Sequence, residues 1–403
     1  MNRVVVTGLG VCASLGKNTA EFTASLQAGT SAIGAIDLFN TEGLITKIGA
    51  QVPNFDPLAH FEENKLPLYD RCTQLCLVAA REAIAQSGLE FRDSGFGART
   101  ATIIGSGVGG QGTQDENYQR LYLQGLKRCH PLTIPKLMIN APCCHITMEH
   151  GITGPSFVVA SACSSANHAI GVAFQMVRSG MVEAAVTGGT EAVFTFGTIR
   201  GWEALRVMAP DTCRPFSLGR KGMVLGEGAA VMVIETFESA QKRGAEILAE
   251  IAGFGTTSDA SDIVMPALEG ASGAIAACLA DAKLAPEQVD YVNAHGTGTA
   301  ANDVTETRAL HKIFGEHAKK LAVSSTKSMH GHTLGAAGAI ELAATICGMR
   351  GGFIPPTANY TDRDPQCDLD YVPNEARQAP INVAISNSFA FGGHNAVVAV
   401  KRV

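Results

Sequence analysis

The chain has 403 residues, a formal net charge of −6 and a residue content that is 46% hydrophobic. That length allows more than one domain with a large core, and an acidic balance without a basic stripe excludes a nucleic-acid surface. Forty-four glycines, few aromatics and only 17% charged residues suit closely packed α/β layers and exclude a disordered chain.

No apolar run reaches the roughly 18 residues of a membrane span. The short run after Arg3 is broken by Gly8 and Gly10, so residues 4–9 read as a first strand and not as a signal peptide. Eleven cysteines without a CxxC pair predict reduced thiols in a cytoplasmic protein, with no structural zinc site.

Residues 19–28 predict a short helix, and a loop-rich section with Pro53 and Pro57 leads to a long helix over 69–88. Residues 100–104 are a strand ending in GSGVGG. Gly105, Gly107 and Gly110 fit a dinucleotide-binding spacing, but the polar segment through Tyr118 predicts no helix opening at once. Tight turns account for these glycines better. A mixed region over 131–154 then precedes FVVASACSSANHAIG, residues 157–171.

Here an apolar, β-branched run ends in three small residues and a cysteine, Cys163. Residues 164–180 predict a helix, with Ile170, Ala173, Phe174 and Val177 at helical spacing. A strand turning sharply into a helix sets Cys163 on the helix N-terminus, where free N–H groups favour negative charge and lower a thiol pKa. Cys163 is therefore a candidate nucleophile, with a buried structural cysteine as the alternative. Strands over 184–187 and 229–234, an irregular stretch over 200–228 and a helix over 239–244 complete this half.

From about residue 250 the pattern begins again: strand 249–255, helix 270–282, strand 289–293, helix 302–314, strand 321–324, then a long small-residue helix. Strands over 383–385 and 396–400 close the chain around SNSFAFGGHN. An internal duplication is expected, with α/β halves over 1–249 and 250–403, each with its own sheet. Several ionisable groups fall where strands end. His295 opens HGTGT, and Lys327 and His332 lie in KSMHGH. Phe389 and Phe391 flank Ala390 ahead of two glycines. Strand ends are where α/β sites gather.

SACSS, NAHGTGTAANDVTE, SSTKSMHGHTLGAAGAIE and NSFAFGGHN, in that order, identify the chain as resembling the β-ketoacyl-acyl-carrier-protein synthases, condensing enzymes of the thiolase superfamily, and most like synthase II. The resemblance covers essentially the whole chain. It implies a duplicated, five-layered αβαβα arrangement and a decarboxylative condensation of malonyl-carrier protein with an acyl chain held on Cys163. It makes His295 and His332 the active-site pair, Lys327 and Glu306 their supports, and Thr297 and Thr299 hydrogen-bonding partners of a phosphopantetheine arm. Phe391 matches a gating phenylalanine whose N–H, with that of Cys163, forms an oxyanion hole. Phe389 stands beside it at the substrate, and Val108 faces the growing acyl chain.

The resemblance further implies no metal or redox cofactor, an acyl carrier protein as partner, and a homodimer or a heterodimer with a chain-length-factor-like subunit. Departures at Ala390 (usually glycine), Ser217 and Lys221 (often aspartates) leave a specialised aryl polyene or polyketide pathway as a competitor to fatty acid elongation. His168 and His394 are read as structural. A non-catalytic chain-length factor would lack Cys163, and a thiolase would need a second cysteine near Phe389–Phe391; both are weaker alternatives.

Overall fold

Period-two alternation and helical stripes recur twice along the chain, and so do the elements they build. In the computed structural model, which describes residues 1–403, β1 (Val4–Ala13) is followed by α1 (Arg71–Ser87), β2 (Thr100–Gly105), α2 (Ala141–His150), β3 (Ser156–Val159), α3 (Ser165–Ser179), β4 (Ala184–Glu191) and β5 (Gly228–Thr236). The second half runs β6 (Ala249–Ser258), α4 (Leu268–Ala282), β7 (Tyr291–Asn293), α5 (Ala300–Phe314), β8 (Ala322–Ser324), α6 (Ala337–Gly351), β9 (Val383–Ala390) and β10 (His394–Lys401). From the outer edge inward, both halves order their strands third, second, fourth, fifth, first. The duplication is thus one of topology.

The expectation of a separate sheet in each half is corrected. Val4 to Val6 of β1 pair antiparallel with Ile251 to Ala249 of β6, so all ten strands join in one ladder. The reason lies in burial: β1 is buried along its whole length, and its backbone groups need partners on both sides.

Alternating strand faces sort the core into layers. On β5, Ala230, Met232 and Ile234 face a central core shared by both halves, while Ala229, Val231 and Val233 face α1. On β10, Val398 and Val400 face the centre, while Val397 and Ala399 face the outer α4–α5 layer. The centre itself is α3 against α6. The latter, AGAIELAATICGMRG, is buried on every side except at its C-terminal end, as its small-residue composition requires of a middle layer. Five layers, αβαβα, result.

Two local expectations fail. A helix, Gln111–Tyr122, does open directly after Gly110, and a second, Phe196–Ala204, runs into the start of the stretch read as irregular. The first is polar almost throughout, with only Thr113 buried, so it carries no apolar stripe to read. Asp70 holds its start, accepting from Thr113 N and Oγ1 at 2.8 and 2.7 Å. The glycines before it are nonetheless not a nucleotide cradle. Gly105 lets α3 approach, and the Gly107 N–H is taken by the Glu191 carboxylate at 2.7 Å.

At Gly105 a Cβ would stand 2.4 Å from the Ala166 backbone nitrogen, inside the helix that follows Cys163. Gly105→Ala is therefore expected to cost about 1–3 kcal/mol in a denaturant melt and to slow acyl loading of Cys163; an unchanged melt would mean that α3 yields freely.

Candidate active site

The nucleophile turn is built by small residues. Ala162 takes a left-handed φ of +50°, rare for a residue with a Cβ, and Cys163 follows it at the head of α3. The serines of SACSS tie the turn together: Ser161 O accepts from Ser164 N and Oγ at 3.2 and 2.8 Å, and Ser165 Oγ accepts from Ser161 N at 2.9 Å. The N–H groups of Cys163 and Phe391 have no backbone partner, and that of Phe391 points at the Cys163 sulfur.

The expected lowering of the Cys163 thiol is corrected. Burial pushes it up to about 12, outweighing the Lys327 ammonium and the Phe391 N–H that favour the thiolate. Desolvation dominates because the side chain is buried. The resting group is the thiol.

His332 Nε2 lies 3.1 Å from Cys163 Sγ. Leu334 N donates to His332 Nδ1 at 3.3 Å, which makes Nδ1 the acceptor and assigns the proton to Nε2. His295 is fixed in the same tautomer, since Lys327 Nζ stands 3.3 Å from its Nδ1. The two rings meet edge to face at 5.4 Å, with Phe389 6.1 Å from His295. Burial lowers both histidines well below their ordinary pKa, and the Lys327 charge lowers them further. Each is neutral and presents an Nε2–H.

Lys327 is wholly buried. Its ammonium donates to His295 O at 2.6 Å and pairs with Glu341, a residue of α6 that sequence reasoning missed. Burial pushes the Glu341 carboxyl up to about 7, with the lysine pulling against it. A lone acid in the apolar, small-residue body of a helix whose only other charge is Arg350 in its last turn was the available signal.

Glu306 supports the pair through the backbone and not by pairing with Lys327. Its oxygens accept from the N–H groups of His295 and Gly296, both at 2.8 Å, and from Asn387 Nδ2 at 3.0 Å.

A narrow cavity of about 120 Å³ joins Cys163, His295, His332, Thr297, Thr299 and Phe389. The threonine hydroxyls are 2.8 Å apart. Phe391 stacks on Trp202, the chain's single tryptophan, at 5.9 Å in the wall. Val108 is not brought to this cavity. It is 41% exposed, in a loop held by Glu191 through its own N–H at 3.2 Å. His168 bridges Ser161 Oγ and Thr256 Oγ1, each at 2.8 Å, and His394 is exposed at the start of β10.

A nucleophile, two neutral imidazole donors and two free backbone N–H groups around one cavity define an acyl-transferring condensing site on a thiolase-like fold. Models of the β-ketoacyl synthase N-terminal and C-terminal domains match residues 1–240 and 248–361. The chain belongs to the β-ketoacyl synthase family. It is 46% identical over 401 residues to Nodulation protein E of Rhizobium sp. (strain N33), spanning 100% of this chain and 99% of that protein. It is 42% identical over 409 residues to the 3-oxoacyl-[acyl-carrier-protein] synthase 2 of Coxiella burnetii (strain RSA 493 / Nine Mile phase I), with coverage of 100% and 99%. The solved ishigamide ketosynthase/chain length factor superposes with a TM-score of 0.94 at 34% identity, covering 100% of this chain and 99% of that one.

Because Lys327 is the largest favourable influence on the ionised sulfur, Lys327→Met is expected to slow alkylation of Cys163 at pH 8 about tenfold, read by intact mass against iodoacetamide. An unchanged rate would remove the lysine from the thiol's electrostatics.

Proposed function

We propose that the protein elongates an acyl chain on Cys163 by decarboxylative Claisen condensation with malonyl-carrier protein. The observation that carries this reading is the pair of neutral Nε2–H donors beside the thiol, a device for an enolate oxygen. First, the Cys163 sulfur attacks the acyl thioester of the carrier, and the leaving pantetheine sulfur takes up the thiol proton. The N–H groups of Cys163 and Phe391 receive the oxyanion. Malonyl-carrier protein then enters with Thr297 and Thr299 along its arm. Its carboxylate leaves as CO₂, and the bonding pair passes to the α-carbon and thioester oxygen, held by His295 and His332. The carbanion attacks the Cys163 thioester and expels the sulfur, which regains a proton from water. No metal or redox cofactor enters these steps.

The substrate is an acyl chain of a specialised polyene or polyketide pathway, carried by an acyl carrier protein. Similarity to a solved type II PKS ketosynthase in complex with its acyl-carrier protein, at 30% identity and a TM-score of 0.91, supports this, as does Ala390, whose methyl stands in the cavity wall. The functional unit is a dimer, with an identical or a chain-length-factor-like subunit on β3. That strand is paired only on its β2 side and leaves Phe157 41% exposed, and the same half also exposes the apolar residues Tyr122, Leu123 and Ile134.

The direct test is intact-mass analysis of the carrier after incubation with malonyl-carrier protein and saturated or polyene primers. A β-ketoacyl product two carbons longer is expected with the wild type and none with Cys163→Ala; condensation by Cys163→Ala would overturn the mechanism. His332→Ala is expected to lower decarboxylation about a hundredfold and acyl loading much less, and equal losses would refute that division. Phe157→Asp is expected to give a monomer in sedimentation with its fold intact; a dimer would move the interface elsewhere.

A further inference from the structure

A third imidazole is buried beside this site and belongs to neither the nucleophile nor the donor pair. His330 ends the single turn Lys327–His330 and has no exposure. Its Nε2 lies 3.0 Å from Thr326 Oγ1, the residue that caps the turn, and its own N–H bonds to Thr326 O at 3.2 Å. Its Nδ1 has no well-formed hydrogen bond, with only the backbone of His330 and Gly331 beside the ring. A buried nitrogen left without a partner costs free energy, and such exceptions call for an explanation.

The contacts continue past Thr326. Thr326 Oγ1 lies 3.4 and 3.5 Å from the two side-chain atoms of Asn293, and Asn293 Nδ2 donates to Glu341 O at 3.0 Å. Asn293 ends β7, two residues before His295. Thr326 precedes Lys327, and Glu341 is the lysine's charge partner. His330 is therefore the outer end of a brace across the three segments that deliver His295, Lys327 and Glu341. Two residues later the chain delivers His332, after Gly331 at a φ of +69°.

We infer that His330, which touches neither Cys163 nor the cavity, is a positioning residue for the decarboxylation step. By pinning Thr326, and through it Asn293, it holds the Lys327 ammonium against His295 Nδ1 and sets where His332 leaves the turn. This inference rests on the ketosynthase reading and refines it. Burial pushes His330 down to about 3, so it acts as a neutral donor throughout the working range and not as a titrating group.

The consequence has a definite sign. His295 is faced by Lys327 and His332, with Glu306 on its backbone, Glu341 behind the lysine and the Cys163 thiol across the cavity. Burial keeps it neutral, and the lysine adds to that. A lysine held less closely lets the His295 pKa rise, so the acid limb of decarboxylation moves to higher pH.

The experiment compares His330→Leu, His330→Gln and Thr326→Val with wild type in two assays: CO₂ release from malonyl-carrier protein across pH, and acyl loading of Cys163 by intact mass. His330→Leu is expected to lower decarboxylation about tenfold, to shift its acid limb upward by about half a pH unit, and to leave acyl loading within about twofold. His330→Gln, whose amide still donates to Thr326, is expected to restore both the rate and the limb. Thr326→Val cuts the same link with His330 in place and is expected to reproduce the shift. Wild-type decarboxylation in His330→Leu, equal losses in both assays with an unmoved limb, or failure of glutamine to rescue would overturn the inference. Failure of wild type itself to load an acyl group would instead overturn the ketosynthase reading.

Discussion

A positive charge with no contact with water is the constraint around which the site is arranged. An ammonium taken from water into a protein interior is sustained only by a close anion and by hydrogen bonds to its remaining protons. Lys327 has Glu341, the His295 carbonyl and His295 Nδ1. Those three groups come from α6 and from the end of β7, so the C-terminal half must converge on one atom. The convergence has a chemical result. Beside a fixed cation neither imidazole takes up a proton readily, and the lysine dictates which nitrogen of His295 faces the cavity.

The duplicated topology supplies that convergence and is then used unequally. α3 and α6 are equivalent central helices. The strand-to-helix turn before α3 carries Cys163, while the longer passage before α6 carries Lys327 and His332. Between β4 and β5 the first half inserts residues 192–227, where the second half has only 391–393 between β9 and β10. The insertion crosses to the other half and clamps His332 by its backbone. His332 N donates to Val224 O at 2.7 Å, and Gly226 N donates to His332 O at 2.9 Å. The short counterpart carries Phe391 to the nucleophile. Each half thus holds a reactive group delivered by the other.

What could be read from the chain follows from which signals are local. The strand, small-residue turn and helix around Cys163, and the repeated order of elements, are patterns within one segment, and the folded chain keeps them. Pairing between β1 and β6 is not local, since neither VVVTGLGVCA nor AEIAGFGTTS carries a mark of which neighbour it chooses, and the expectation of separate sheets failed there. Glu341 was missed for a related reason: its partner lies 14 residues earlier on a different element, and helical spacing alone does not join them. The thiol misled in the opposite sense. A helix N-terminus is visible in sequence, but the burial that overrides it is set by Leu225, Leu334, Val193 and Ala390, drawn from across the chain.

The assigned tautomers also constrain the order of events in the proposed cycle. His332 has one proton on Nε2, and at rest that proton is directed at the Cys163 sulfur. The same proton is required by the thioester oxygen of the malonyl group during decarboxylation. One N–H cannot serve both strongly at once. An ionised sulfur, formed as Cys163 attacks the carrier thioester and again as the product is expelled, attracts it most. A neutral sulfur, whether resting thiol or acyl thioester, is a weak acceptor and leaves the N–H free. His332 therefore serves the sulfur while charge is on it and the malonyl thioester oxygen while charge is there. Burial and the Lys327 charge make this exchange workable, because together they keep both imidazoles neutral, so the same donor is present at each step.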